Sequence, residues 1–335
     1  MANYKELEGF GVQTLATDPD NASWIGSIFY NSTEGVFKTV KPGGIPTATW
    51  ASATSMNTPR NEATSAVSGT QSSTLAISGD PTSTAVESYN GSSWTAVAST
   101  NTGHGANGSG FGTSNTSAGV AAGANATPDR TFCEIYNGTS WTEVNNLNTG
   151  GYDAGSCGST TSAIVGGGVE YPFPSPPVIT SQTELWNGTS WTVGNAMNQV
   201  TRTYTFGGIS TSCISGTRGE VNLSYVESWD GTSWSEVAEL NSARQVAGSF
   251  GTSNTASAVF GGQVPGPGAA NNATEIWNGT SWTEVNNLGT ARSNIKGAGS
   301  NTAGVAFSGY DGSSPVAATE EWTVPEIAIN TLTTS

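Results

Sequence analysis

Nine residues recur five times along this chain with little change. They are Glu87–Thr95 (ESYNGSSWT), Glu134–Thr142 (EIYNGTSWT), Glu184–Thr192 (ELWNGTSWT), Glu227–Ser235 (ESWDGTSWS) and Glu275–Thr283 (EIWNGTSWT). Their closing tryptophans, Trp94, Trp141, Trp191, Trp234 and Trp282, stand 43 to 50 residues apart. A period of this length, made of β-prone residues around a tight turn, is that of a propeller or a related array. Repeats of this kind share a continuous core. The 335 residues therefore read as one repeat domain with additions, where length alone would allow two domains.

Within one repeat, Thr274–Trp277 is a β-prone run and Ser281–Val285 is its return strand. The Asn278-Gly279 pair between them predicts a two-residue type I′ hairpin, whose central positions both need positive φ. An apolar residue follows each tryptophan by six positions: Met56, Leu147, Met197, Leu240 and Leu288, with Thr100 as the exception. These are expected to plug the passage from one blade to the next. Then come hairpins of small residues, Gly110–Gly123, Ser156–Gly168, Gly248–Gly262 and Gly297–Gly309. Small residues and glycine suit inner strands, where blades converge, and the large aromatics suit the outer pair. Each repeat thus supplies the four antiparallel strands of a propeller blade, with its tryptophans in the core.

The ends of the repeat region complement each other. Trp50, in Thr47–Ala51 (TATWA), matches an outermost strand that has no inner strands before it. Thr319–Trp322 matches Thr274–Trp277 but lacks the return strand. An all-β, six-bladed ring follows, closed by pairing the chain near Trp50 with the strand at Trp322, which also removes free sheet edges. Seven blades are the alternative. Gly26–Val40 reads as a hairpin (Ile28 to Tyr30, a turn at Asn31–Gly35, Val36 to Val40) and is an edge addition, a degenerate half-blade or a docking element. The expected division is an attachment segment over 1–46, a propeller over 47–323 and an extension over 324–335.

The order Phe260-Gly261-Gly262, Trp277, Trp282, Leu288, Arg292 resembles the kelch repeat. The turn is shorter than the usual kelch one, and the double glycine is eroded at Ser78-Gly79 and Ser308-Gly309. The wording Asn-Gly-Thr-Ser-Trp-Thr-Glu-Val is similar to kelch-like proteins of marine tailed bacteriophages. The stretch from Asp18-Pro19-Asp20 to Gly26-Ser27-Ile28-Phe29-Tyr30-Asn31-Ser32-Thr33 resembles an N-terminal hairpin of phage fibre and appendage proteins. The resemblance implies a virion component at the tail, neck or head surface.

Composition narrows the chemistry. A net charge of −15 speaks against nucleic-acid binding through phosphates and against anionic membranes. No apolar run approaches the roughly 20 residues that cross a bilayer, and the N-terminus lacks a signal-peptide pattern, so Sec-type export is not expected. Cys133, Cys157 and Cys213 fall in different repeats and read as buried free thiols. His104 is the single histidine. It excludes a copper site built on a histidine pair, and it occupies the slot that Arg60, Arg244 and Arg292 fill in other repeats. The segment Ser228–Trp234 resembles an aspartate box of sialidases but is one residue short. Arg60, Arg202, Arg244 and Arg292 either converge on one channel mouth, as a sialidase-like site requires, or pair with the repeated Glu87, Glu134, Glu184, Glu227, Glu275 and Glu320. Periodic residues in periodic slots favour the second. The sequons at Asn90, Asn137, Asn187 and Asn278 read as turn chemistry. No cofactor or metal is expected, because no phosphate loop, dinucleotide fingerprint or metal-ligand spacing occurs.

Variable connections mark a candidate binding face. Val169–Thr183 carries Tyr171 and Phe173, and Gln263–Asn272 carries PGPG. Such insertions on one side of a repeat array often line its binding surface. The expected candidate site is therefore Tyr171, Phe173, Arg60, Arg202, Arg244 and Arg292, binding a host-surface glycan or protein. The expected role is a non-enzymatic virion protein, held by other virion proteins through its N-terminal segment and oligomeric in the particle. The alternative is a sialidase- or lyase-like glycan-processing enzyme with a deep central pocket.

Overall fold

The computed structural model describes residues 12–80, 84–105, 107–123, 130–171, 178–218, 224–264 and 269–332. The chain forms two compact units, Thr49–Thr323 and a smaller one that joins Met1–Ala48 to Val324–Ser335. The expected three-part division becomes two because Ile327–Thr331 pairs antiparallel with Val36–Pro42, which draws the C-terminal extension into the N-terminal sheet.

The larger unit is a closed ring of six four-stranded antiparallel sheets. Blade V shows the pattern. Gly248–Ser253, Ala256–Phe260, Thr274–Trp277 and Trp282–Val285 run in order from axis to rim. The inner strands of the others are Thr64–Ser65 (blade I), Ser109–Ser114 (II), Gly155–Ser159 (III), Thr203–Ile209 (IV) and Lys296–Gly299 (VI). Each packs on the next, and that of blade VI packs on that of blade I. Blade VI is completed from the other end of the ring: Thr49–Ala53 pairs with Thr319–Thr323, with Trp50 directly opposite Trp322.

The core lies in layers between blades. Between blades IV and V, Ile214 and Val226 of one meet Val259, Trp277 and Trp282 of the other, and Leu240 fills the passage between them. Met56, Leu147 and Met197 occupy the same position in other layers. The five closing tryptophans are all buried. Trp94 and Trp234 also donate their indole N–H to Thr319 and Thr183 of the preceding blade, at 2.9 and 3.0 Å. The three cysteines are buried free thiols. Cys157 and Cys213, from different repeats, share the layer between blades III and IV.

The outer turn differs from the two-residue hairpin expected. In blade V the strands end at the Trp277–Trp282 pair, leaving a four-residue turn, Asn278–Ser281. Only Gly279 has positive φ, at 91°. Asn278 works through its side chain, whose Oδ1 accepts from the amides of Thr280 and Ser281, both at 2.9 Å. This Asx geometry replaces the left-handed asparagine of a type I′ turn. Asp230 does the same in blade IV, where its hydrogen bonds to Ser233 and Thr232 hold its carboxyl below the usual range.

The smaller unit is a four-stranded sheet. Gln13–Leu15 lies parallel to Ile28–Asn31, which pairs antiparallel with Val36–Pro42, which pairs with Ile327–Thr331. One face buries Phe29 and Val40. There Lys38 bridges Asp18 and Glu34 at 2.8 and 2.5 Å. The other face carries Ile28, Tyr30 and Phe37, of which Ile28 and Phe37 are half exposed.

Candidate functional site

The repeated glutamate is the centre of a buried polar cluster in every blade. In blade V, Glu275 Oε2 accepts from the amide and the side chain of Asn241, and Oε1 accepts from the Ser242 amide and from Arg244. Arg244 also donates to the carbonyls of Gly261 and Ala273. Blade I repeats this with Arg60, Glu87 and the carbonyls of Ser78 and Ala85. Blade VI repeats it with Arg292, Glu320 and the carbonyls of Ser308 and Ala318. In blade II, His104 takes the same place between the Ala122 carbonyl and Glu134. Burial raises the Glu134 carboxyl, but the bonds from His104, Asn101 and Thr102 outweigh it and hold the group below its usual range.

Arg60, Arg244 and Arg292 are therefore corrected from candidate ligands to scaffold. They are 3, 0 and 0 % exposed, and their guanidinium groups are taken up by carboxylate and carbonyl oxygens. A buried charge of this kind stands only when paired. Arg202 does not belong to the set. Counted from Met197, the slot falls on Thr201, and Arg202 lies one residue beyond it. Its Nε stands 4.0 Å from Asp153 Oδ2, and its side chain is 29 % exposed. Phe173 and the side chain of Tyr171 lie outside the described residues, and the Tyr171 backbone ends the strand Val169–Tyr171.

The axis of the ring is filled. Blade I has an inner strand of two residues, and the chain after it turns inward. Val67 packs in the layer between blades III and IV, on the far side of the axis. Ser68 donates to the Gly208 carbonyl of blade IV at 2.7 Å and accepts from the Gly158 amide of blade III at 2.9 Å. Gln71 reaches the Trp322 carbonyl of blade VI at 2.8 Å. On the hairpin-turn side this segment floors a cup of about 400 Å³, bordered by Thr70, Gln71, Ser72, Ile209, Thr252 and Ser300. On the other side, a cavity of only about 20 Å³ remains between Thr64, Ser156, Ser249 and Lys296. Among the described residues the axial segment thus separates this cup from the small cavity.

Beside that small cavity sits a charged group that the repeat pattern did not single out. Burial pulls Lys296 down to about 8, against the opposing influence of Asp153 and then Glu62. Glu62 is raised, chiefly by burial and then by the like charges of Asp80 and Asp153. Glu62 and Asp153 both adopt positive φ, 54° and 59°. Their amide and carbonyl groups are linked through Asn107. The only sequence sign of this cluster is that each residue departs from its neighbours at the entry to an inner strand.

Six four-stranded sheets, interlocking tryptophans, buried glutamates and an N-to-C latch define a kelch-like β-propeller fold. Among solved structures it is similar to that of YjhT, a kelch-repeat propeller protein, at 12 % identity and a TM-score of 0.64. The match covers 82 % of this chain and 96 % of that one. No family model and no curated protein matches the sequence.

Proposed function

We propose that this chain is a non-enzymatic structural protein of a bacteriophage particle, a tail, neck or capsid appendage whose propeller contacts a host-surface glycan or protein. The observation that carries this reading is the smaller unit. It is a compact sheet in its own right, and one of its faces presents Ile28 and Phe37 at 51 and 49 % exposure, with the Tyr30 ring 5.1 Å from that of Phe37. An apolar face exposed in this way among the described residues suits a docking partner. The resemblance of the same segment to the hairpin of phage appendage proteins supports other virion proteins as that partner, and a particle would hold several copies. The hydroxyl-lined cup at the axis and the variable connections are the surfaces left for a host ligand.

The test is made on particles. Mass spectrometry of purified virions should find the chain, and Phe37→Asp should leave it folded but missing from the particle. Virions without the chain would overturn the proposal. So would turnover of a sialoside or polysaccharide by the pure protein.

A further inference from the structure

Blade III keeps the receptor for an arginine that it does not have. Counted from Leu147, the slot that holds Arg60, His104, Arg244 and Arg292 falls on Gly151. The acceptors around it are nevertheless in place. Glu184 Oε2 accepts from the amide and the side chain of Asn148, and Oε1 accepts from the Thr149 amide, as in blades I, II, IV and V. The group that blades I, II, V and VI set on Oε1, an arginine in three of them and His104 in the other, is missing, as it also is at Glu227 of blade IV: among the described residues Glu184 has no ion-pair partner, and it is 4 % exposed. Gly167 and Gln182 hold the positions whose carbonyls receive Arg244 in blade V, with the same Gly167 amide to Gln182 carbonyl bond that Gly261 makes to Ala273.

These groups line a cavity of about 30 Å³. A single water needs about 10–15 Å³ on this measure, so the space admits a group larger than one water. Thr149 and Gln182, hydrogen-bonded to each other, and Glu170 add further oxygens to its wall. No side chain can enter from the slot itself. A Cβ on Gly151 would lie 2.5 Å from the Val169 carbonyl, because the added pair Gly150–Tyr152 and Val169–Tyr171 brings that strand against it. The cation must come from outside the blade.

We propose that this cavity binds a guanidinium head, either of an arginine side chain on a partner protein or of a small free guanidine. Planar N–H donors meeting a carboxylate and two carbonyls is the arrangement that the same molecule builds internally three times, and guanidinium geometry matches it. The site is independent of the attachment role proposed above.

Titration calorimetry on the full chain tests it, with methylguanidinium, a capped Gly-Arg-Gly peptide and tetramethylammonium as probes. Methylguanidinium or the peptide should bind saturably, and tetramethylammonium, which has charge but no donors, should not. Glu184→Gln should weaken binding about tenfold or more, the scale of one charge-assisted hydrogen bond. Tighter binding of the peptide assigns the site to a protein-borne arginine, and binding of methylguanidinium alone assigns it to a free guanidine. Binding of neither probe, or undiminished binding by folded Glu184→Gln, would overturn the proposal. If that variant does not fold, crystals of the unaltered protein soaked in methylguanidinium decide. A planar group on Glu184 supports the site, and water alone there refutes it.

Discussion

At the scale of single residues, the buried ion pairs and the left-handed positions carry the clearest consequences. Arg244→Met leaves Glu275 buried without its cation and should cost about 3–5 kcal/mol in urea unfolding. Ser308 sits at φ 60° with a buried hydroxyl that has no partner, in a position where blade V has Gly261. Ser308→Gly removes the strain and the unsatisfied group while keeping the carbonyl that Arg292 uses, and should stabilise by about 1 kcal/mol. Lys296 gives a pH signature. Its folded value of about 8 is below the unfolded 10.5, so the unfolded chain binds more protons between those limits. Stability contributed by this residue therefore rises from pH 8 to pH 10. Denaturation midpoints should show that rise, and Lys296→Met should flatten it. The arginine slots were legible from spacing because the same glutamate waits in every repeat. Lys296, Glu62 and Asp153 were not, since only folding brings three different repeats to one mouth.

At the scale of elements, the repeat is a device for pairing one glutamate and two aromatics with a turn. The four-residue turn depends on a side-chain acceptor as well as on glycine. Asn278→Ala removes both amide contacts and should cost about 1 kcal/mol, read from the thermal midpoint. Asn278→Asp should be tolerated, as Asp230 already serves in blade IV. The strand pairs, the inner and outer assignments and the layer positions of Met56 and Leu240 could all be read from residue size and period. The turn length could not. Asn-Gly is written the same way whether asparagine uses its backbone or its side chain, and the register of Trp277 with Trp282 decides between them.

At the scale of the whole molecule, closure depends on a strand borrowed from the far end of the repeat region. Trp50 packs against Phe250, Phe260 and Trp322, with ring centroids 5.9, 5.1 and 5.5 Å away, and donates to Thr274 of blade V at 3.0 Å. Trp50→Ala should cost about 3–5 kcal/mol. Calorimetry should show it as a lower midpoint of one transition for all six blades, because the latch joins two blades at once. Complementary defects at the two ends made this visible in the chain. The inward segment of blade I was hidden, since its contacts are with blades III, IV and VI and no local pattern reports them. A wheel held only at its circumference can spread one neighbour at a time. Ser68 gives this one a hub: prising blade I from its neighbours must also break its hold on the two blades opposite, so a pull on the rim is shared across the diameter.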